Sequence, residues 1–177
     1  MPPAEPLAIP LSRRKILLLT AGAWAFVALS AWLWTIADIQ PRFNPLFVKG
    51  AAVTAVLFFG LCGAYGCRKI FDRRPGLVID ADGIIDNASG LAAGRVPWEE
   101  ITAIHVTEIS NQRILTIIVV DPGRYLARGS AFTRLLNRAN IHLTGSPVNI
   151  SANTLAVDFE ELHRALLGAF ERHKSRA

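Results

Sequence analysis

The side chains able to do chemistry are few and scattered. Four histidines stand at His105, His142, His163 and His173. None belongs to an H-E-x-x-H motif, and the chain has no G-x-S-x-G, P-loop or G-x-G-x-x-G. Glu160 and Glu161 lie just before His163, but this grouping reads as the solvated start of a helix. Glu99 and Glu100 are adjacent, so on extended backbone they point apart instead of converging on one substrate. Asp80-Ala81-Asp82-Gly83 has the acids and glycine of a calcium loop. Val78 occupies the place where the first acid is required, and no acid falls at the twelfth position, so a tight turn is expected, with Gly83 suited to positive φ. These absences predict no catalytic, cofactor-binding or metal-binding residue, no cofactor and no enzyme. What remains is charge: Arg68, Lys69, Arg73 and Arg74 are candidate contacts for anionic lipid headgroups, each contributing roughly 1 kcal/mol where well placed. The plainer role for the same cluster is to set membrane topology.

The segment preceding that cluster explains its position. Ile16 to Ala37 runs for about 22 residues without an ionisable side chain, which as a helix rises roughly 33 Å, enough for a hydrocarbon core. Ala51 to Cys67 is a second apolar run, reaching spanning length when Leu46 to Gly50 are included, with Lys49 placed to snorkel. Neither shows the polar stripe of a buried soluble helix. The first run also continues past Ser30 through Trp32, Leu33, Trp34 and Ile36, longer than a signal-peptide core. Pro41 and Pro45 break the pair, so a transmembrane hairpin with a basic linker is expected over residues 13–74. Ala21-x-x-x-Ala25 and Gly60-x-x-x-Ala64, with Gly63 and Gly66 alongside, would let the two helices approach closely; a dimer through the same face is the alternative. Arg13, Arg14, Lys15, Arg68, Lys69, Arg73 and Arg74 flank one side, against Arg42 and Lys49 on the other. By the positive-inside rule both termini are cytoplasmic, which predicts a multi-pass protein of the inner (plasma) membrane. Cys62 and Cys67 sit five apart on one helix, where they form neither a disulfide framework nor a metal site. Juxtamembrane Cys67 is a place for acylation or simply a small, tolerated residue.

Residues 1–12, with prolines at 2, 3, 6 and 10, read as a disordered tail. Residues 75–177 read as one soluble domain. Short strands are expected at Leu77–Asp80, Ile84–Asp86, from Arg95, at Ile101–Thr107, Ile114–Val120 and Val148–Ser151. Ile114–Val120, β-branched and continuously apolar, should be central and covered on both faces. Asn87 to Gly94 reads as a flexible connection or a hairpin loop. Asp121-Pro122 starts a short helix. A further helix is expected over Ala131–Ala139, with Phe132, Leu135 and Leu136 at helical spacing and Arg134 and Arg138 on its other side. His142 falls in the loop beyond. Asp158-x-x-Glu161 opens a last helix whose stripe of Phe159, Leu162, Leu166 and Phe170 should close the domain. The charge of +5, from 19 basic and 14 acidic residues, lies largely against the membrane and carries no nucleic-acid recognition pattern.

The stretch FDRRPGLVIDADGIIDNASG followed by RVPWEEI, then DPGRYL at Asp121–Leu126 and PVNISANTLAVDFEEL at Pro147–Leu162, resembles uncharacterised bacterial two-helix membrane proteins with a cytoplasmic pleckstrin-homology-like domain. The resemblance implies an α+β chain: the hairpin, then a small antiparallel barrel or paired sheets closed by a C-terminal helix. The helix around Ala131–Ala139 is an insertion into the simplest seven-strand plan. No functional residue transfers. The expected role is a membrane-anchored, non-catalytic interaction or scaffold module at the inner leaflet. Its partners would be the lipid bilayer and an unidentified protein, a second copy included, and not nucleic acid. The alternatives are a sensor of anionic headgroups through the basic linker, and a small subunit of a membrane enzyme or transporter. The latter is disfavoured by the lack of ionisable residues within the spans.

Overall fold

The computed structural model describes residues 6–128 and 131–175. It divides into two units, Arg13–Asp72 and a second assembled from Met1–Ser12 together with Arg73–Ala177.

The first unit is a helical hairpin of α1 (Arg13–Ile36) and α2 (Pro45–Ile70), both long and apolar enough to span a membrane. The break is locally encoded. Gln40 Oε1 accepts from the Arg42 and Phe43 amides at 3.0 and 2.9 Å. Asn44 caps α2 by accepting from the Leu46 amide at 2.9 Å, with Pro45 at the first helical position. The helices run antiparallel. Phe26 stacks on Phe59 with centroids 4.5 Å apart, and Lys49 sits 2.6 Å from the Asp38 carboxylate and over the Trp34 ring. Lys49 is therefore neutralised by a partner, not merely extended to the boundary. The close approach is made by Gly63 and Gly66: a Cβ there would lie 2.9 Å from the Trp24 ring and 2.2 Å from Thr20 Oγ1. Ala21, Ala25 and Ala64 face outward instead, and a Cβ on Gly60 would meet nothing within 4 Å. Small residues do pack the hairpin, but the expected pair of motifs is one helical face off. Thr20 and Ser30, buried, donate their hydroxyl protons to the Ile16 and Phe26 carbonyls, so these two hydroxyls are satisfied within their own helix.

The second unit holds seven strands among the described residues, in two antiparallel sheets. One has the order β1 (Leu7–Ile9), β2 (Leu77–Ile79), β3 (Gly83–Asp86), β4 (Gly94–Pro97); the other has β5 (Ile101–Ile109), β6 (Gln112–Val119), β7 (Val148–Ile150). They do not join into a closed barrel. The largest correction to the sequence reading lies in β1. The segment expected to be disordered pairs Leu7, Ala8 and Ile9 with Ile79, Val78 and Leu77. Leu11 bridges to Leu155, and the Ser12 amide donates to Thr154 O at 2.8 Å. Residues 1–5 of that segment lie outside the described residues. Prolines at 6 and 10 are compatible with this strand because it is an edge, where a missing donor is tolerated. Gly76 is where the returning chain meets it. Its amide donates to Ile9 O at 2.9 Å, and a Cβ would fall 2.4 Å from Leu155 Cδ2 and 2.9 Å from Leu11 Cδ2.

Local chemistry sets the remaining turns. Asp80 Oδ1 accepts from the Asp82 and Gly83 amides at 3.0 Å each. Gly83 has the expected positive φ, 158. Glycine is required there by proximity as well, since a Cβ would lie 2.3 Å from Val96 O. Ser110 and Asn111, at φ 49 and 64, make the two-residue turn between β5 and β6. Of the two expectations for Asn87 to Gly94, the hairpin loop is the one seen: it joins antiparallel β3 and β4 and is organised by buried Asp86, whose two oxygens accept from the Ala88 and Ala93 amides at 2.9 and 3.0 Å. Trp98–Glu100 is a 3-10 turn, so Glu99 and Glu100 are not on extended backbone.

Leu77, Ile84 and Val96 from the first sheet meet Leu115, Ile117, Val148 and Ile150 from the second in one core, closed by Leu162, Leu166 and Phe170 of α5 (Phe159–Lys174). β6 is central and buried on both faces: Thr116, opposite the core side, is fully buried and donates to Asn149 Oδ1 at 2.9 Å. Between β6 and β7 come α3 (Pro122–Leu126) and α4 (Ala131–Thr144). α4 outruns its expected end at Ala139 and takes in His142, stopping at Gly145, whose φ of 81 suits glycine beyond a helix end.

Two outcomes follow. Residues 7–12 joined by a Gly-Ser linker to residues 73–177 should fold as a soluble domain, whereas residues 73–177 alone should melt markedly lower by circular dichroism, because β2 loses one of its two partners, β1. In the joined chain Leu166→Ala should cost about 3 kcal/mol and lower the melting temperature by roughly 15 °C; an unchanged melt would refute the assignment of α5 as the closing helix.

Candidate functional site

The four basic residues expected to meet headgroups are not equivalent. Lys69, in the last turn of α2, is buried, and its Nζ lies 2.9 Å from Asp72 Oδ2, three residues on. The ammonium is thus committed to an internal ion pair. Arg68, Arg73 and Arg74 are exposed. The spacing of Lys69 and Asp72 was the sequence signal for that ion pair.

The other concentration of charge is on the soluble unit, around the corner from β4 to β5. Glu100 receives the Tyr125 phenol proton on one carboxylate oxygen and the Arg124 guanidinium on the other. Asp121 holds these partners by capping α3, accepting from the Gly123 amide at 2.9 Å. Arg128 lies 4.4 Å over the Tyr125 ring and donates to the Ala93 and Arg95 carbonyls at 3.0 and 3.1 Å. Arg95 in turn pairs with Asp80 and Asp82 at 3.3 and 3.2 Å. The two acids of the supposed calcium turn are therefore engaged by a guanidinium. Nothing in the chain's local pattern joins Glu100 to Tyr125, which is why this clasp was not read from sequence.

The clasp is poorly suited to proton transfer. Burial of Tyr125, then its hydrogen bond to Glu100 and that carboxylate's charge, push the phenol up to about 12, with Arg128 and Arg124 acting in the opposite direction. A phenol so far from neutrality is a fixed donor, not an acid or base poised for catalysis. Of the histidines, His173 stacks on Trp98 at 6.2 Å and His163 lies 6.0 Å from Phe159. Glu160, near His163 in sequence, pairs with Arg113. Among the described residues no group of three His, Cys, Asp or Glu converges as a metal site. Cys62 and Cys67 are both exposed on α2. No family model, curated protein or solved structure matches the chain.

The raised phenol predicts an alkaline transition. Above pH 10 the unfolded chain releases the Tyr125 proton while the folded chain keeps it until about 12. The folded state then holds more protons, so stability is intact below pH 10 and falls as pH rises through that window. Tyr125→Phe should abolish this component, and the difference in phenolate absorbance between the native protein and Tyr125→Phe should show Tyr125 titrating late. A difference titration centred near pH 10, the ordinary phenol value, would remove the Glu100 clasp.

Proposed function

We propose that the chain is a membrane-anchored, non-catalytic interaction module with a pleckstrin-homology-like domain at the inner leaflet. One observation carries it: a single domain is built from chain on both sides of the apolar hairpin, β1 before it and β2 after it. If both apolar helices cross the bilayer, such a domain requires their outer ends to emerge on one side, as an even number of crossings does. The positive flanks favour the cytoplasmic side. Sheets of four and three antiparallel strands with a closing C-terminal helix support the pleckstrin-homology-like reading, with β1 supplied from ahead of the hairpin. The outward faces of α1 and α2 support a lipid environment. Leu17, Leu18, Leu19, Leu57, Phe58 and Leu61 are each more than half exposed, an apolar area far beyond that of a water-facing pair of helices. The acids Asp80, Asp82, Glu100 and Glu160 are each paired with an arginine, which supports a non-catalytic reading of these clusters.

Single cysteines in a background without Cys62 and Cys67 test the arrangement. In intact cells Arg42→Cys should react with an impermeant maleimide. Glu99→Cys and Glu171→Cys, both exposed positions of the domain, should react only after lysis. Labelling of Glu171→Cys from outside would overturn the inner-leaflet placement, and protection of Arg42→Cys would overturn the spanning hairpin.

A further inference from the structure

α4 exposes apolar side chains that a helix between a domain and water would normally turn inward. Its inner face is mixed: Thr133, Leu136, Asn140, Ile141 and Thr144 are half-buried, and Asn137 is 5% exposed, its Oδ1 buried without a hydrogen-bond partner. Among its described side chains, from Thr133 onward, none belongs to the core cluster. Leu135 and Leu143, by contrast, are 63% and 65% exposed, with exposed Ala139 between them at i+4. α5 has the ordinary arrangement, with Leu162, Leu166 and Phe170 inward. Beside the apolar row of α4 runs a second exposed row at the same spacing, Arg134, Arg138 and His142. The 14-residue helix contains no acid. An apolar row flanked by a basic row, with low overall hydrophobicity, is the pattern of a helix lying in a membrane–water boundary. Leucines there enter the acyl region while arginines stay among the phosphates. The sequence reading placed Leu135 opposite Arg138; at three residues' separation they are neighbours on one face.

We propose that α4 is an interfacial helix that binds the surface of an anionic bilayer through Leu135, Ala139 and Leu143, with Arg134 and Arg138 contacting lipid phosphates. The occupant of this face is lipid. Its charge is complementary to an anionic leaflet, and only three residues separate β1 from α1 and six separate α2 from β2, so the domain cannot move far from a bilayer crossed by the hairpin. The inference rests on that spanning hairpin and deepens the proposed function by naming a surface it engages.

The test uses the full chain in nanodiscs, without its native cysteines, carrying a nitroxide at Leu135→Cys, Leu143→Cys, Leu57→Cys or Glu99→Cys. In discs rich in phosphatidylglycerol, labels at 135 and 143 should collide with oxygen in preference to a water-soluble nickel chelate, as the label at 57 does and the label at 99 does not. In phosphatidylcholine alone, or in Arg134→Gln/Arg138→Gln, the ratio of bound to released α4 should fall by about thirtyfold, about fivefold for each arginine. Added salt should have the same direction of effect. Nickel access at 135 and 143 equal to that at 99 overturns the proposal while leaving the hairpin standing. Dipolar broadening between labels on two copies overturns lipid as the occupant in favour of self-association. Nickel access at 57 overturns the spanning hairpin, and the role of α4 with it.

Discussion

The pairing of Leu7–Ile9 with Leu77–Ile79 is the constraint on which the rest of the chain depends. It makes the soluble domain discontinuous and turns Arg13–Asp72 into an insertion between adjacent strands. Closing a flexible loop of roughly 70 residues would cost about 4 kcal/mol or more in chain entropy. A hairpin that packs first removes most of that cost, because its antiparallel helices already bring the loop's ends together. The glycine seam is therefore not only a local packing device. Gly66 against Thr20 and Gly63 against Trp24 hold the ends of α1 and α2 in a geometry from which three residues of edge strand can pair. Folding of the two units is coupled in this sense through chain connectivity alone.

Gly76 shows how tightly the return is specified. The backbone there is pressed between Leu11 and Leu155 while donating to Ile9, so β1, the start of β2 and the segment before α5 share one crowded point. Any side chain would separate them. The same economy appears at Gly83 against Val96. In both places the glycine serves close approach; at Gly83 this comes in addition to the turn expected of Asp80–Gly83, which Asp80 and Gly83 close with their hydrogen bonds. Sequence alone distinguishes these poorly, because both uses require the same missing Cβ.

Much of the architecture was legible because its signals are local. Length and absent charge identify α1 and α2; β-branched runs identify β5 and β6; Asp121-Pro122 and Asp158 mark helix starts that the caps bear out. β1 was not legible for the opposite reason. Pro6-Leu7-Ala8-Ile9-Pro10 is too short for periodicity, its prolines mimic a disordered tail, and its partner lies beyond the whole hairpin. The Glu100–Tyr125 clasp is hidden likewise, since long-range pairs leave no pattern. α4 failed in a more instructive way. Helical spacing of Leu135 and Leu136 was visible, but they lie on different faces, half-buried for Leu136 and exposed for Leu135. Periodicity locates an apolar row; it does not say whether the row meets the protein or something outside it.

That ambiguity has a physical resolution when a domain is tethered. The links of three and six residues flanking the hairpin extend at most about 10 and 20 Å. Held so near a bilayer, a surface patch meets lipid at high effective concentration, and a contact too weak to recruit a free protein is then sufficient to orient an attached one. A helix exposing two leucines would endanger a freely diffusing protein by promoting aggregation. On a tethered domain the same residues cost less when they enter the leaflet, and the row of Arg134 and Arg138 favours anionic lipid over water or over another apolar protein surface. The exposed row of α4 and the discontinuity of the domain are then connected: if the hairpin spans a bilayer, the short links bound how far the domain can stand from lipid, and α4 is the face proposed to meet it.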